Sequence, residues 1–391
     1  VASVYQGWRR HWLAKARALL RAGIFISGGG GLLQDTTPTF LLKGPVPYYL
    51  LIATWARLAG CWVLFLGQGI GPLRGRWARW LTRKLAGQAD VITVRDAESL
   101  ALLEEVGVTR PPRRLLADFV FAAPAPDPRR AERVARAEGL LPGARRLVVS
   151  VRSWPGEDRF YPELAAFLRE VLASRPDVEV VLVPMEGELD RAASQKLAAL
   201  VAAGIGAGQA PPAPAGPARA RTGDRAGGST GAGAPGAPAA APAEVPPAPG
   251  EHGGQPAQGS GDADPDALRR LHVIGAGYEP ADIEALVGSA YVAVGMRLHF
   301  LLFAARAGVP VLALNYDPKV AGAMRRLGAS RYVFELDRVR AGDLLAAFAE
   351  VERRYDEISR DLRQAAAGLA PLAAAHLDYV DAAARRIAGL T

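Results

Sequence analysis

Short, continuously apolar runs that end in a glycine or a helix cap, each followed by helical periodicity, constrain this chain more than any other feature. Residues 22–27 (AGIFIS), 61–66 (CWVLFL) and 90–95 (DVITVR) are the first three, and residues 96–106 carry the helical spacing that follows the third. After a Pro- and Arg-rich passage around residues 124–130 the rhythm resumes. Strands are expected there at 146–151, 178–183, 272–274, 290–294 and 309–314. A strand without polar alternation must be covered on both faces, and strands separated by helices pair in parallel. The expected fold is α/β, with two doubly wound Rossmann-like domains facing each other across a cleft. A length of 391 residues suits two such units. The expected division is an N-terminal domain over 1–123, a linker over 124–144 and a C-terminal domain over 145–372. A last helical stretch within 373–391 is expected to pack back across the first domain. Residues 1–21 read as a helix with no strand before it, so the first βα element of the N-terminal domain is expected to be missing.

Of the 63 residues from 205 to 267, 18 are Ala, 14 Gly and 12 Pro, and none is aromatic. Such a segment buries too little apolar surface to offset its chain entropy and is expected to be disordered. A helix over 188–203 and a strand over 270–274 flank it, which makes it an expanded surface loop within a domain. The single cysteine, Cys61, excludes a scaffold of internal disulfides. The longest apolar stretch, 50–70, contains Arg57 and runs into Gly67 and Gly69. It reads as a helix followed by a strand, because a mid-bilayer charge costs about 2.5–3.5 kcal/mol. With no signal-peptide pattern at its start, the chain is expected to be soluble and cytoplasmic. Its net charge is +8, from 42 Arg and 5 Lys against 39 acidic residues. The arginines read as scattered over helix faces, with no basic, aromatic-interleaved run and no zinc-finger or RNP signature, so nucleic acid is not an expected partner. Anionic small substrates, a lipid-phosphate surface or mere compositional background each account for the charge.

Ligands of open α/β sheets bind beyond the carboxyl ends of the strands, and four segments lie there. Gly28, Gly29, Gly30 and Gly31 follow the first strand, where backbone amides can approach an anion or a sugar; a flexible turn explains them as well. Asp35, just beyond, suits a sugar hydroxyl or a base. Gln68, in the turn after the second strand, is a candidate to line the cleft. Arg152 ends the first strand of the second domain, where a guanidinium can clamp phosphate or carboxylate. The sequence Gly295-Met296-Arg297-Leu298-His299 leaves another strand and enters a helix, so His299 sits where amides and the helix dipole favour an anion. Of the other histidines, His252 lies in the loop, His11 and His376 fall on expected surface helices, and His272 opens a strand. His299 is the one placed for acid–base work. Asp317 and Pro318 read as a helix start, with Lys319 in reach of an anion. No P-loop, HExxH, CxxC or GxSxG pattern occurs, nor an Asp-x-Asp pair positioned for a metal and nucleotide diphosphate. Neither a metal nor a cofactor is expected.

Together SGGGGLLQD (27–35), GQGIGP (67–72), the Val151-Arg152 strand end, GMRLHFLLFA (295–304) and YDPKV (316–320) make the chain similar to the polysaccharide pyruvyl transferases. It most resembles their branch that anchors proteins to the cell surface. The resemblance implies a GT-B-like fold and phosphoenolpyruvate as the donor of a pyruvate ketal. The implied acceptor is a lipid-linked, N-acetylmannosamine-containing intermediate of the secondary cell-wall polymer, whose pyruvylated product is a ligand for surface-layer proteins. His299 matches the family's catalytic histidine, Arg152 and Arg297 its donor-binding arginines, and Asp35 an acidic residue near the acceptor. Catalysis is thus expected at His299, Arg152 and Asp35. Donor binding is expected at Arg152, Arg297, Leu298 and Lys319, and an acceptor cradle at Gly28–Gly31 and Gln68. The family's glycine-rich opening segment is expected to be missing, and the long loop is not typical of it. Trp55, Trp62, Trp77 and Trp80 fit either core packing or a lipid-linked substrate, so peripheral contact with the cytoplasmic membrane face stays open. Two rival readings share the fold: a sugar-nucleotide-dependent glycosyltransferase and a non-catalytic binding protein.

Overall fold

The structure, a computed structural model, describes residues 12–35, 44–206 and 265–389. The first half runs α1 (Trp12–Arg21), β1 (Ile24–Gly28), α2 (Pro45–Leu58), β2 (Trp62–Gln68) and α3 (Arg76–Leu81), continued by a π-helical turn (Thr82–Ala86). It goes on through β3 (Val91–Val94), α4 (Ala97–Val106), β4 (Arg113–Leu115) and a 3₁₀ turn (Phe119–Ala122). The second half begins with α5 (Pro128–Ala137), β5 (Arg145–Ser150), α6 (Glu157–Ser174), β6 (Val178–Leu182), α7 (Gly187–Gly206), α8 (Pro265–Arg269) and β7 (Leu271–Val273). There follow α9 (Pro280–Gly288), β8 (Val292–Gly295), α10 (Leu298–Ala307), β9 (Val311–Asn315), α11 (Pro318–Arg326) and β10 (Val333–Glu335). Three helices close the chain: α12 (Ala341–Arg353), α13 (Tyr355–Ala374) and α14 (His376–Ile387).

All strand pairs are parallel. The first sheet has the order β1-β2-β3-β4, the second β10-β9-β8-β5-β6-β7. The expected α/β architecture of two parallel sheets is therefore present. In the second sheet β6 and β8 are buried along their whole length, as strands without polar alternation must be. In the first sheet the two faces of β2 have different covers. Val63 and Phe65 join the core beneath α2, whereas Leu64 and Leu66 pack with Ala383 of α14. The chain's last helix thus supplies the second face of its first sheet.

Sequence reasoning missed β4 (RRL) and β10 (VFE), three-residue edge strands that form no continuous apolar run, while β7, equally short and also at an edge, was expected. Most of the Ala-, Gly- and Pro-rich loop, like His252 and His11, lies outside the described residues. Its two ends are helical: α7 continues to Gly206, and α8 begins at Pro265 with Ala267 buried. A correction concerns His376, which is fully buried although its helix, α14, is otherwise mostly exposed. Its Nε2 lies 2.8 Å from the Ala117 carbonyl, which only accepts, so Nε2–H donates. Its Nδ1 then accepts from the Thr93 hydroxyl at 2.8 Å, and Phe119 packs on the ring. The neutral imidazole satisfies every partner and ties α14 to the first sheet.

Burial holds the His376 pKa below the ordinary imidazole value, against the opposing pull of the Ala117 carbonyl and the Asp118 charge. Below about pH 6.5 the unfolded chain therefore binds more protons at this site than the folded one, and stability falls with pH. Chemical denaturation between pH 7.5 and pH 5.5, conditions spanning roughly the ordinary imidazole range, is expected to show that loss. His376→Ala should flatten this dependence and cost about 1–3 kcal/mol at neutral pH by stranding the Ala117 carbonyl.

Candidate active site

The strand order of the second sheet reverses between β5 and β8, and a crevice opens at such a switch point. Arg152 leaves the end of β5 on one side, and Arg297 leaves the end of β8 on the other. The turn into α10 needs a glycine at 295. A Cβ there would meet the Phe300 ring at 2.7 Å and the Ser150 carbonyl at 3.3 Å. Arg297 occupies the N-cap of α10 without any side-chain cap, and no acidic residue lies in the first turn. The opening amides of α10 are therefore unanswered by side chains, the arrangement that seats an anion.

This end of α10 faces the first sheet across a cleft of about 870 Å³. The second half contributes Arg152, Trp154, Arg297, Leu298, His299 and Lys319 to its wall; the first half contributes Gly30, Gly31, Asp35, Arg74 and Arg95. Residues 152, 297 and 299 thus converge on one space. Most of the cations are already matched. Arg297 donates from Nε (2.8 Å) and Nη2 (2.5 Å) to buried Asp190, and Nη2 also pairs with Glu186 at 2.7 Å. Arg95 donates to Asp118 at 2.7 Å, and Lys319 Nζ lies 3.7 Å from Asp317. Burial lowers the Lys319 pKa, with Asp317 opposing. Arg152 differs. Among the described residues no carboxylate lies within ion-pair distance of it. Its guanidinium sits over the rings of Trp154 (5.2 Å) and Tyr316 (5.5 Å), and its buried Nε has no partner.

His299 lies in the first turn of α10 with its side chain 46% exposed. Its Nε2 is 3.6 Å from Asp118 Oδ2 and 3.3 Å from Arg95 Nη1, between a carboxylate and a guanidinium from the opposite half. Burial alone would raise the Asp118 pKa. The neighbouring His299 imidazole and the charge of Arg95, which donates to Asp118 at 2.7 Å, reverse that effect, and the carboxyl is held far below the usual range. An ionised carboxylate fixed beside an imidazole orients the ring.

Part of the expected cradle is corrected. Gln68 is fully buried and donates from Nε2 to the Ser27 carbonyl at 2.7 Å, holding β2 to β1 and not lining the cleft. A Cβ at Gly28 would stand 2.8 Å from the Leu66 carbonyl, so this glycine serves the close approach of two strands. Gly29, at φ +72°, shapes the turn, and only Gly30 and Gly31 of the run reach the cleft wall. Lys319 Nζ comes close to Gly31 from the other half. Asp35 is on the wall, but its oxygens already accept the amides of Arg74 (2.8 Å) and Gly75 (2.6 Å) at the start of α3.

The sequence profile of the polysaccharide pyruvyl transferases matches residues 3–318. The chain belongs to that family. A curated relative, the amylovoran biosynthesis protein AmsJ of Erwinia amylovora, is 25% identical over 88 residues, which are 22% of this chain and 21% of that protein. The match therefore spans about a fifth of the relative. Among solved structures, a UDP-GlcNAc 2-epimerase from Neisseria meningitidis bound to UDP-GlcNAc has a TM-score of 0.54 at 9% identity, covering 97% of this chain and 83% of that one. A glycosyltransferase from Rickettsia africae has a TM-score of 0.52 at 9% identity, covering 100% and 85%. At such identities the likeness is one of fold, and it is the GT-B-like architecture.

In this pyruvyl transferase family member, sequence reasoning missed Arg95, Asp118 and Asp190. Arg95 follows β3 directly, so the strand-end rule that singled out Arg152 applies to it as well. Asp118 follows β4, which was itself unseen. Asp190 lies in the first turn of α7 and carries no local signal. Asp118→Asn is expected to destabilise the protein by up to about 3–5 kcal/mol at pH 7, because it leaves buried Arg95 with only the longer contact to Asp96, at 3.9 Å. Because Asp118 titrates at a depressed value, its contribution is complete above about pH 4 and is lost as pH falls further. The gap between wild type and variant in denaturant titrations should therefore narrow in acid.

Proposed function

We propose that the protein transfers the pyruvyl group of phosphoenolpyruvate to two hydroxyls of a saccharide, forming a pyruvate ketal and releasing phosphate. The observation that carries this reading is Arg152, an unmatched guanidinium flanked by aromatic rings at the switch point of the second sheet, beside the uncapped start of α10. A donor with both a phosphate and a carboxylate suits that seat. The free Nη1 side of Arg297, the amides of Leu298 and His299, and Lys319 complete it. His299 supplies the proton. It protonates the methylene carbon of the donor, which leaves an oxocarbenium-like centre at the adjacent carbon. A sugar hydroxyl attacks that carbon and gives up its proton. The phosphate then departs with its bridging oxygen, and a second hydroxyl closes the ketal with loss of its own proton. Asp118 holds the imidazole in place during the first step. Gly30, Gly31 and Asp35 face the acceptor, with Arg74 beside them.

The acceptor we infer is a lipid-linked, N-acetylmannosamine-containing cell-wall polymer intermediate, on the similarity of the GMRLH and YDPKV segments to the surface-anchoring branch. The relative in amylovoran biosynthesis favours an amylovoran-type saccharide as the competing acceptor. Incubation with phosphoenolpyruvate and each saccharide should release phosphate in step with a pyruvyl mass gain on one of them. Glycosidic products from labelled sugar nucleotides, without donor phosphate release, would sink the reading in favour of a glycosyltransferase.

His299→Ala is expected to reduce turnover by about 10²–10⁴-fold with the fold intact by circular dichroism. Arg152→Ala removes charge-assisted bonds worth about 1.5–3 kcal/mol and should raise KM for phosphoenolpyruvate by roughly 10- to 150-fold. Retained activity in the histidine variant would remove the acid assignment.

A further inference from the structure

The positive charge of this chain is not spread along it. Residues 1–90 contain twelve Lys and Arg and only two acidic residues, Asp35 and Asp90, a balance of +10; residues 91–391 carry 35 cations and 37 acids, a balance of −2. Both acids of the first part are engaged. Asp35 accepts the amides of Arg74 and Gly75, and Asp90 pairs with Arg57 at 3.0 Å. The sequence RGRWARWLTRK (74–84) is a basic run with interleaved tryptophans, contrary to the reading of the arginines as scattered.

The fold turns this run into a face. Ala78, Leu81, Thr82 and Ala86 are buried, while Arg76, Trp77, Trp80, Arg83 and Lys84 are exposed. At about 100° per residue these five lie within an arc of roughly 120°. Trp77 and Trp80 stack with ring centroids 4.9 Å apart, and Trp80 is 48% exposed. Arg79 pairs with Glu105. Among the described residues, Arg76, Arg83 and Lys84 have no carboxylate within ion-pair distance. An exposed indole such as that of Trp80 suits a lipid–water interface, with cations beside it to meet phosphate headgroups.

We propose that this face of α3 and the following π-helical turn docks the protein on an anionic lipid bilayer. Its place in the fold gives the docking a purpose. Arg74, immediately before α3, lines the cleft, and Asp35 on the cleft wall holds the start of the helix. A bilayer beneath α3 therefore lies beside the wall assigned to the acceptor. Among the described residues no helix is long and apolar enough to cross a membrane, and contact through this face is peripheral. The purpose rests on the pyruvyl transfer reading; the docking does not.

Co-sedimentation of the full chain with phosphatidylcholine vesicles, with and without phosphatidylglycerol, tests the proposal. Binding is expected only to the anionic vesicles and to weaken as salt rises. Each cation near the surface contributes about fivefold, so the combined variant Arg76→Gln, Arg83→Gln, Lys84→Gln should lose roughly two orders of magnitude in affinity. Trp80→Ser should weaken binding further at high salt. Both variants should keep wild-type turnover on a soluble saccharide. Equal binding to both vesicle types, no binding, or unchanged affinity in the variants overturns the proposal. So does a dimer dissociated by Trp80→Ser, or a preference for duplex DNA over vesicles. Vesicle binding without any use of phosphoenolpyruvate leaves the docking intact and removes only the donor assignment.

Discussion

Cations brought together at the carboxyl ends of two parallel sheets repel one another unless carboxylates or a bound anion intervene. The fold answers this almost completely from within. Asp190 and Glu186 hold Arg297, Asp118 and Asp96 surround Arg95, and Asp317 stands by Lys319. Arg152, half-buried, is the exception beside α10, and Arg74, exposed on the opposite wall, has no ion pair among the described residues either. The charge of Arg152 is met by the faces of Trp154 and Tyr316, a contact worth less than an ion pair in a buried site and one that leaves the guanidinium edge free. The remaining positive potential is thereby focused where an anion can lie against the start of α10.

The same neutralisation joins the two halves. Asp118 comes from the segment after β4, yet its charge serves His299 on α10 of the other sheet. Arg326 of α11 donates to the carbonyls of Arg95 and Leu116, and Arg325 pairs with Glu98 of α4. Arg306 of α10 donates to the Val120 and Pro124 carbonyls. His376 then closes the circuit by hydrogen bonding both Thr93 and Ala117. A histidine at 299 would be an ordinary exposed residue without these cross-sheet partners. The segment after β4 is therefore a part of the site, although no residue of the helix that carries the imidazole is near it in sequence.

Much of the fold was legible. Eight of the ten strands were visible as apolar runs, because a strand covered on both faces has no room for polar alternation. The two missed strands are three-residue edges without a continuous apolar run, whose pairing is decided by their neighbours. Within the site, Arg152, Arg297, His299 and Lys319 were found by one rule, that ligands lie beyond strand ends, and the structure places all four on the cleft wall. Gln68 and Gly28 satisfied the same rule and do not reach it. A side chain one position before a turn points into the sheet, and sequence spacing does not distinguish it from one that points out.

The sequence by itself determined the family, the parallel α/β layering and the strand-end candidates, because these follow from local hydrophobic period, turn residues and a few contiguous motifs. Tertiary structure decided which of the cations are already matched, that Asp118 backs His299, that His376 is a core residue, and that α14 covers the first sheet. Those outcomes depend on pairs of groups far apart in the chain, and their energies exist only once the two sheets are facing. The outward basic, tryptophan-bearing face of α3 belongs to both. Its residues are contiguous, but only burial of Ala78, Leu81, Thr82 and Ala86 settles which side of the helix meets the surroundings.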